Sequence, residues 1–259
     1  MARYTLRHMP NTDLSYFPAR DGVQLAYREV GEGRPLVLLH GITGDATLWL
    51  RQGQAEMLAA RGHRVILPDF RGHGASAKPH DGSAYPLDVL TDDGLALVAH
   101  LGLDDYDLGG YSLGGRIAVQ MVARGATPGR VVVGGQGMRE VLGEGGTAGS
   151  WLRRVFAGWG TYEPGSPGEQ AEQWLRSNNE DPVALEHVLD SLVATPAAEV
   201  GNIQVPVLVV MGSDDERAGS AGKLAGTLPH GTLAVVPGDH RTAPAGAEFL
   251  GAIADFLAG

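Results

Sequence analysis

Short apolar runs rich in valine and leucine recur along this chain, at residues 36–39, 65–67, 131–133, 205–211 and 233–236, and no other feature narrows its fold as much. Runs this short, apolar throughout rather than on alternate residues, predict strands covered on both faces, as in a parallel sheet. The stretches between them, 48–61, 87–101, 113–124 and 243–257, have helical spacing and good helix formers. Strand and helix in alternation predict an α/β fold with a mostly parallel, doubly wound sheet. Residues 23–30 instead alternate, with Val23, Leu25 and Tyr27 apolar against Gln24, Ala26 and Arg28. That pattern predicts an antiparallel edge strand, closed by Gly31-Glu32-Gly33 and turning as a hairpin into 36–39.

The rhythm breaks between 137 and 201. Glycine-rich stretches, Gly143-Glu144-Gly145-Gly146 and Pro164-Gly165-Ser166-Pro167-Gly168, flank helix-like pieces at 151–156, 169–176 and 183–193. This predicts a small helical insertion at 137–201 in a core made of 1–136 and 202–259. Trp151, Trp159 and Trp174 fall inside it, either to glue the insertion down or to face a ligand.

Composition removes several function classes. With 259 residues and 43% hydrophobic residues the chain can build a sizeable core without staples. It has no cysteine, so disulfides, thiolate nucleophiles, iron–sulfur clusters and cysteine-ligated zinc are excluded. A formal charge of −10 opposes nucleic acid and anionic membrane surfaces alike. The first 17 residues lack an uninterrupted apolar segment, and nowhere do 18 apolar residues follow one another. The expectation is a protein without a membrane span, cytoplasmic, acting on a small molecule. The histidines show no metal-ligand spacing and the glycines no G-x-G-x-x-G, so neither a metal nor a nucleotide cofactor is expected.

Gly110-Tyr111-Ser112-Leu113-Gly114 matches G-x-S-x-G, in which small flanking residues let a serine sit on a tight strand-to-helix turn with its hydroxyl projecting. About 0.2 such matches would arise by chance in a chain of this composition, so context decides. Residues 106–111 can be a strand and 113–124 a helix, the order the motif needs. A serine hydroxyl is a poor nucleophile until a histidine takes its proton, and that histidine needs a carboxylate to fix its tautomer. His240 follows the run at 233–236, and Asp214 and Asp215 follow the run at 205–211. Both positions are expected at carboxyl ends of strands, where such sheets bind ligands.

Together these residues give the chain a resemblance to the α/β-hydrolase superfamily over nearly its whole length. The resemblance is carried by His40-Gly41, by Asp69-Phe70-Arg71-Gly72-His73-Gly74-Ala75-Ser76, by the turn at Ser112, and by an acid and a histidine in that order. It implies the α/β-hydrolase fold with a small helical cap. It also implies a triad of Ser112, His240 and Asp215, the acid three residues after Gly212, with Asp214 the lesser candidate. The backbone amides of Ile42 and Leu113 are the implied oxyanion donors, and His40 and the 69–76 stretch are implied to brace loops.

A serine at the turn favours ester cleavage through an acyl-enzyme. Trp151, Leu152, Phe156, Trp159 and Trp174 are the expected apolar contacts to a small or medium hydrophobic ester. The same triad serves cofactor-free perhydrolases or haloperoxidases, carbon–carbon bond hydrolases and lactonases. A receptor that keeps the scaffold without turnover is the reading from another class. The remaining histidines, His63, His73, His80, His100, His187 and His230, are expected at the surface or in loops.

Overall fold

The computed structural model describes residues 13–144 and 147–259. Eight strands, β1 (Ser15–Pro18), β2 (Gln24–Val30), β3 (Arg34–Leu39), β4 (His63–Pro68), β5 (Asp107–Tyr111), β6 (Val131–Gly134), β7 (Val207–Gly212) and β8 (Gly231–Val236), form one sheet in the order β1-β2-β4-β3-β5-β6-β7-β8. Pairing is antiparallel at β1–β2 and β2–β4 and parallel from β4 to β8. The α/β-hydrolase fold, with a mostly parallel, doubly wound sheet, is what the apolar runs and motifs led one to expect.

The helices are α1 (Gln54–Ala59), α2 (Val89–His100), α3 (Leu113–Ala123), α4 (Met138–Val141), α5 (Thr147–Ala157), α6 (Pro167–Ser177), α7 (Pro182–Ser191), α8 (Ala197–Gly201), α9 (Ala218–Thr227) and α10 (Ala247–Ala258). Successive strand residues point to opposite faces, so each run divides its side chains between two cores. Val37, Leu39, Val133 and Val209 pack with Leu97 of α2, Ile117 of α3 and Leu224 of α9. Leu36, Leu38, Val132 and Val210 pack with Leu58 of α1 and Ile253 of α10. A small third cluster, Leu152, Val155 and Leu175, joins α5 to α6.

Several expectations need correction. Strand β2 does not turn into β3 as a hairpin. Its partners are β1 and β4, so β1 is the edge. The Gly31 and Gly33 backbones are left-handed and press against Ala59 and Gly62, leaving no room for side chains, and this carries β3 across to the far side of β4. The helix expected at 48–61 is split: Asp45 caps a 3-10 turn at Ala46–Trp49, and the left-handed Gly53 intervenes before α1. Strand β7 starts two residues late because Pro206 has no N–H to give, although its carbonyl accepts from Val131. β8 is not buried on both faces: it ends the sheet, and Val235 is 61% exposed. Among the described residues no helix is long and apolar enough to cross a membrane.

Candidate active site

Three loops at the carboxyl ends of β5, β7 and β8 meet at Ser112. Between β5 and α3 the chain must reverse within one residue, and Ser112 adopts φ 54°, ψ −119°, a conformation L-residues rarely hold. The flanking glycines make it possible. A Cβ on Gly110 would lie 2.3 Å from the Gly114 carbonyl carbon, and one on Gly114 would lie 2.4 Å from Leu39 O. The reversal lifts the Ser112 hydroxyl clear of the sheet, where it donates to His240 Nε2 at 2.9 Å. His240 Nδ1–H donates in turn to Asp215 Oδ2 at 2.6 Å. Both contacts are satisfied by one neutral tautomer.

Asp215 is buried, whereas Asp214 is exposed and touches neither partner, so of the two aspartates it is Asp215 that the fold brings to His240. Burial opposes ionisation of Asp215, but the hydrogen bonds from His240 and from Arg217 N–H outweigh it and hold the carboxyl below its ordinary range. Tyr111 donates to His240 O at 2.7 Å and its ring lies against the imidazole, 5.2 Å between centres. Burial, then the nearby Asp215 charge, push the Tyr111 phenol up, so it stays a neutral donor.

The loop after β3 lies beside the hydroxyl, with Gly41 close enough that a Cβ there would touch Ser112 Cβ at 3.5 Å. Among the described residues the amides of Ile42 and Leu113 donate to no protein acceptor. His40 is fully buried, Nδ1–H donating to Gly41 O at 2.7 Å and Nε2 accepting from Phe70 N–H at 3.0 Å. Asp69 accepts from Ala46 N–H and Ala75 N–H, and Arg71 binds Asp21 and Asp93, so the 69–76 stretch does tie loops together.

His73 and His63 are not at the surface. His73 is fully buried, 5.1 Å from His40 between ring centres, with Nε2 2.8 Å from Ile42 O and Nδ1 3.0 Å from Arg71 O. Both ring nitrogens face carbonyl oxygens, so a neutral His73 donates to only one of the two at a time. His63 opens β4, a strand flanked on both sides, and is covered for that reason.

A cavity of about 610 Å³ stands over Ser112. Helices α5 and α6 supply one wall through Trp151, Leu152, Ala171 and Trp174, and Leu48 and Pro244 contribute from the core. Phe156 and Trp159 do not line it. They pack on each other at 6.1 Å, with the Arg176 guanidinium 4.6 Å over the Trp159 ring, so these two are internal glue between α5 and α6. Sequence reasoning missed the charged members of the wall, Asp45, Arg51, Arg217 and Arg241. The available signal was position: Arg217 and Arg241 directly follow the two strand ends that carry Asp215 and His240.

Residues 34–132 match the family described as "alpha/beta hydrolase fold". Over 111 residues the chain is 39% identical to a non-heme haloperoxidase of Rhodococcus erythropolis, a match covering 43% of this chain and 39% of that protein. Over 161 residues it is 30% identical to 2-hydroxy-6-oxo-2,4-heptadienoate hydrolase of Pseudomonas putida, covering 61% of this chain and 54% of that one. The matched segments thus span from about two fifths to about half of these curated relatives. Among solved structures, a hydrolase from Pseudomonas aeruginosa superposes with a TM-score of 0.73 at 25% identity, covering 95% of this chain and 99% of that one. Sheet order, the strained serine turn and these likenesses agree: the chain has the α/β-hydrolase fold, and its residues 34–132 carry the match to that family.

Proposed function

We propose that the protein is a serine hydrolase that cleaves carboxylic esters of small to medium size through an acyl-enzyme. The observation that carries this reading is the unbroken hydrogen-bonded relay Ser112–His240–Asp215 at the floor of a cavity. Ser112 Oγ attacks the ester carbonyl while His240 Nε2 takes its proton. Asp215 holds the imidazole and stabilises the imidazolium. The Ile42 and Leu113 amides receive the developing oxyanion, which two free donors can do at no cost in broken hydrogen bonds. His240 returns the proton to the leaving alcohol, and a water deprotonated by the same nitrogen then releases the acid. Helices α5 to α7 act as a cap whose apolar wall, Trp151, Leu152 and Trp174, takes the hydrocarbon part of the substrate.

The test is hydrolysis of p-nitrophenyl esters from acetate to long-chain acyl groups, run beside Ser112→Ala. A Ser112-dependent rate that peaks at short or medium chains is expected. A folded protein inactive on every ester overturns the reading.

The likeness to a haloperoxidase favours one second reading, in which hydrogen peroxide replaces water on the acyl-enzyme and leaves as a peracid. Peroxide-dependent bromination in acetate buffer, lost in Ser112→Ala, would support it. Absence of bromination alongside ester hydrolysis would exclude it.

A further inference from the structure

The cavity over Ser112 is cationic in a chain whose formal charge is −10. Arg51, Arg217 and Arg241 line it against the single acid Asp45. A second cavity of about 330 Å³ shares Ile42, Ser112 and Arg217 with the first and adds Arg116, Arg153 and Gln136 against the single acid Glu140. Both acids are engaged with backbone: Asp45 accepts from Thr47 N–H, and Glu140 from Gly137 N–H. Gln136 is 5% exposed, and its Oε1 has no hydrogen-bond partner among the described residues. Arg153 is paired with Asp190 at 2.6 Å, Arg116 donates to Val193 O and Arg51 to Thr47 Oγ1. The buried polar groups left over on these walls, among the described residues, are therefore Gln136 Oε1, Arg116 Nε and part of the Arg217 guanidinium.

Arg217 stands where the two cavities meet. It is only 8% exposed, yet its guanidinium reaches protein partners only through Nη1, Asp215 Oδ1 and Glu216 Oε1, each at 3.4 Å. Charge-assisted pairs close to about 2.7–2.9 Å, so these contacts leave the guanidinium under-engaged. Its Nε and Nη2 have no hydrogen-bond partner among the described residues. An almost buried guanidinium with a free planar edge, beside the attacking hydroxyl, matches a bidentate oxyanion.

We propose that the natural substrate carries a carboxylate close to its scissile carbonyl and that Arg217 binds it, making Arg217 the specificity-determining residue of the site. Arg51 and Arg241, exposed at the mouth, draw the anion in against the molecule's overall field. The proposal rests on the serine-hydrolase reading and deepens it.

The test compares esters that differ only in a carboxylate for a methyl group, followed by acid release at constant pH. Monoethyl succinate against ethyl butyrate places the anion on the acyl side; O-acetylglycolate against ethyl acetate places it on the leaving side. The wild type is expected to prefer the anionic member of one pair by at least tenfold in kcat/KM. Arg217→Gln should reduce that preference at least tenfold, chiefly through KM, and Arg217→Lys should retain part of it. Preference for the neutral member in both pairs overturns the proposal, as does an Arg217→Gln variant that slows both members equally, since Arg217 would then act only through Asp215. A second measurement is independent of turnover: succinate should slow labelling of Ser112 by a fluorophosphonate in the wild type and not in Arg217→Gln. Absence of labelling overturns the serine-hydrolase reading itself. Labelling that succinate leaves unchanged, with no anionic preference, overturns the anion site alone.

Discussion

Ser112, His240 and Asp215 touch in a line, and removing any one leaves the other two without a complete task. Ser112→Ala and His240→Ala should each lower kcat on p-nitrophenyl acetate by about 10⁴-fold or more, leaving what binding and the oxyanion donors supply. The two adjacent aspartates give a sharper comparison. Asp215 meets His240 at 2.6 Å while Asp214 is exposed, so Asp215→Asn should cost orders of magnitude in kcat and Asp214→Asn less than about threefold. The reverse ranking would move the acid to Asp214 and leave the fold untouched.

At the scale of elements, glycine has opposite meanings in different places. Gly114 starts α3 against the β3 carbonyls with no room for a methyl group, so Gly114→Ala should lower unfolding free energy by roughly 2–4 kcal/mol in urea titrations and abolish activity. Gly219 in α9 and Gly251 in α10 have ordinary helical backbone and open space around the added Cβ. Gly219→Ala and Gly251→Ala should each stabilise by about 0.5–1 kcal/mol. The parallel strands and the serine turn were legible because periodicity and local geometry are written in consecutive residues. Strand order was not, since the placement of β2 against β4 depends on contacts between Gly31, Gly33 and the distant 59–62 segment. The cap aromatics were half legible for the same reason. Trp151 and Trp174 face the cavity while Phe156 and Trp159 turn inward, and which way each faces follows from how α5 and α6 dock on one another. Arg217 escaped notice because its meaning lies in the contacts it does not make.

For the molecule as a whole, the buried pair His40 and His73 opposes folding as pH falls. Burial, eased only slightly by their hydrogen bonds, pulls both imidazoles down from 6.5 to about 4. Between those values the unfolded chain binds protons that the folded pair refuses, so the pair's contribution to stability is full above pH 6.5 and is lost as pH falls toward 4. The carboxyls of buried Asp93 and half-buried Glu180, pushed up by desolvation to about 6 and about 8, work in the opposite direction over the same range. The slope is up to about 1.4 kcal/mol per pH unit for each histidine. Urea midpoints measured from pH 7.5 to 4.5 should therefore fall more, or rise less, with acidification in the wild type than in His73→Gln, because the variant lacks one histidine's share of the loss; identical pH profiles for the two would mean that His73 gains its proton without unfolding. The path of the chain has a consequence of its own. The whole excursion from α4 to α8 leaves after β6 and returns before β7, two strands that are hydrogen-bonded neighbours, while Ser112, Asp215 and His240 all lie outside it. The triad and the apolar part of the cavity wall that α5 and α6 supply are thus separately heritable. Recombination at this one seam could exchange the apolar wall while Arg217 and the triad stay in place, so that the hydrocarbon part of the substrate could change without the triad passing through an inactive ancestor.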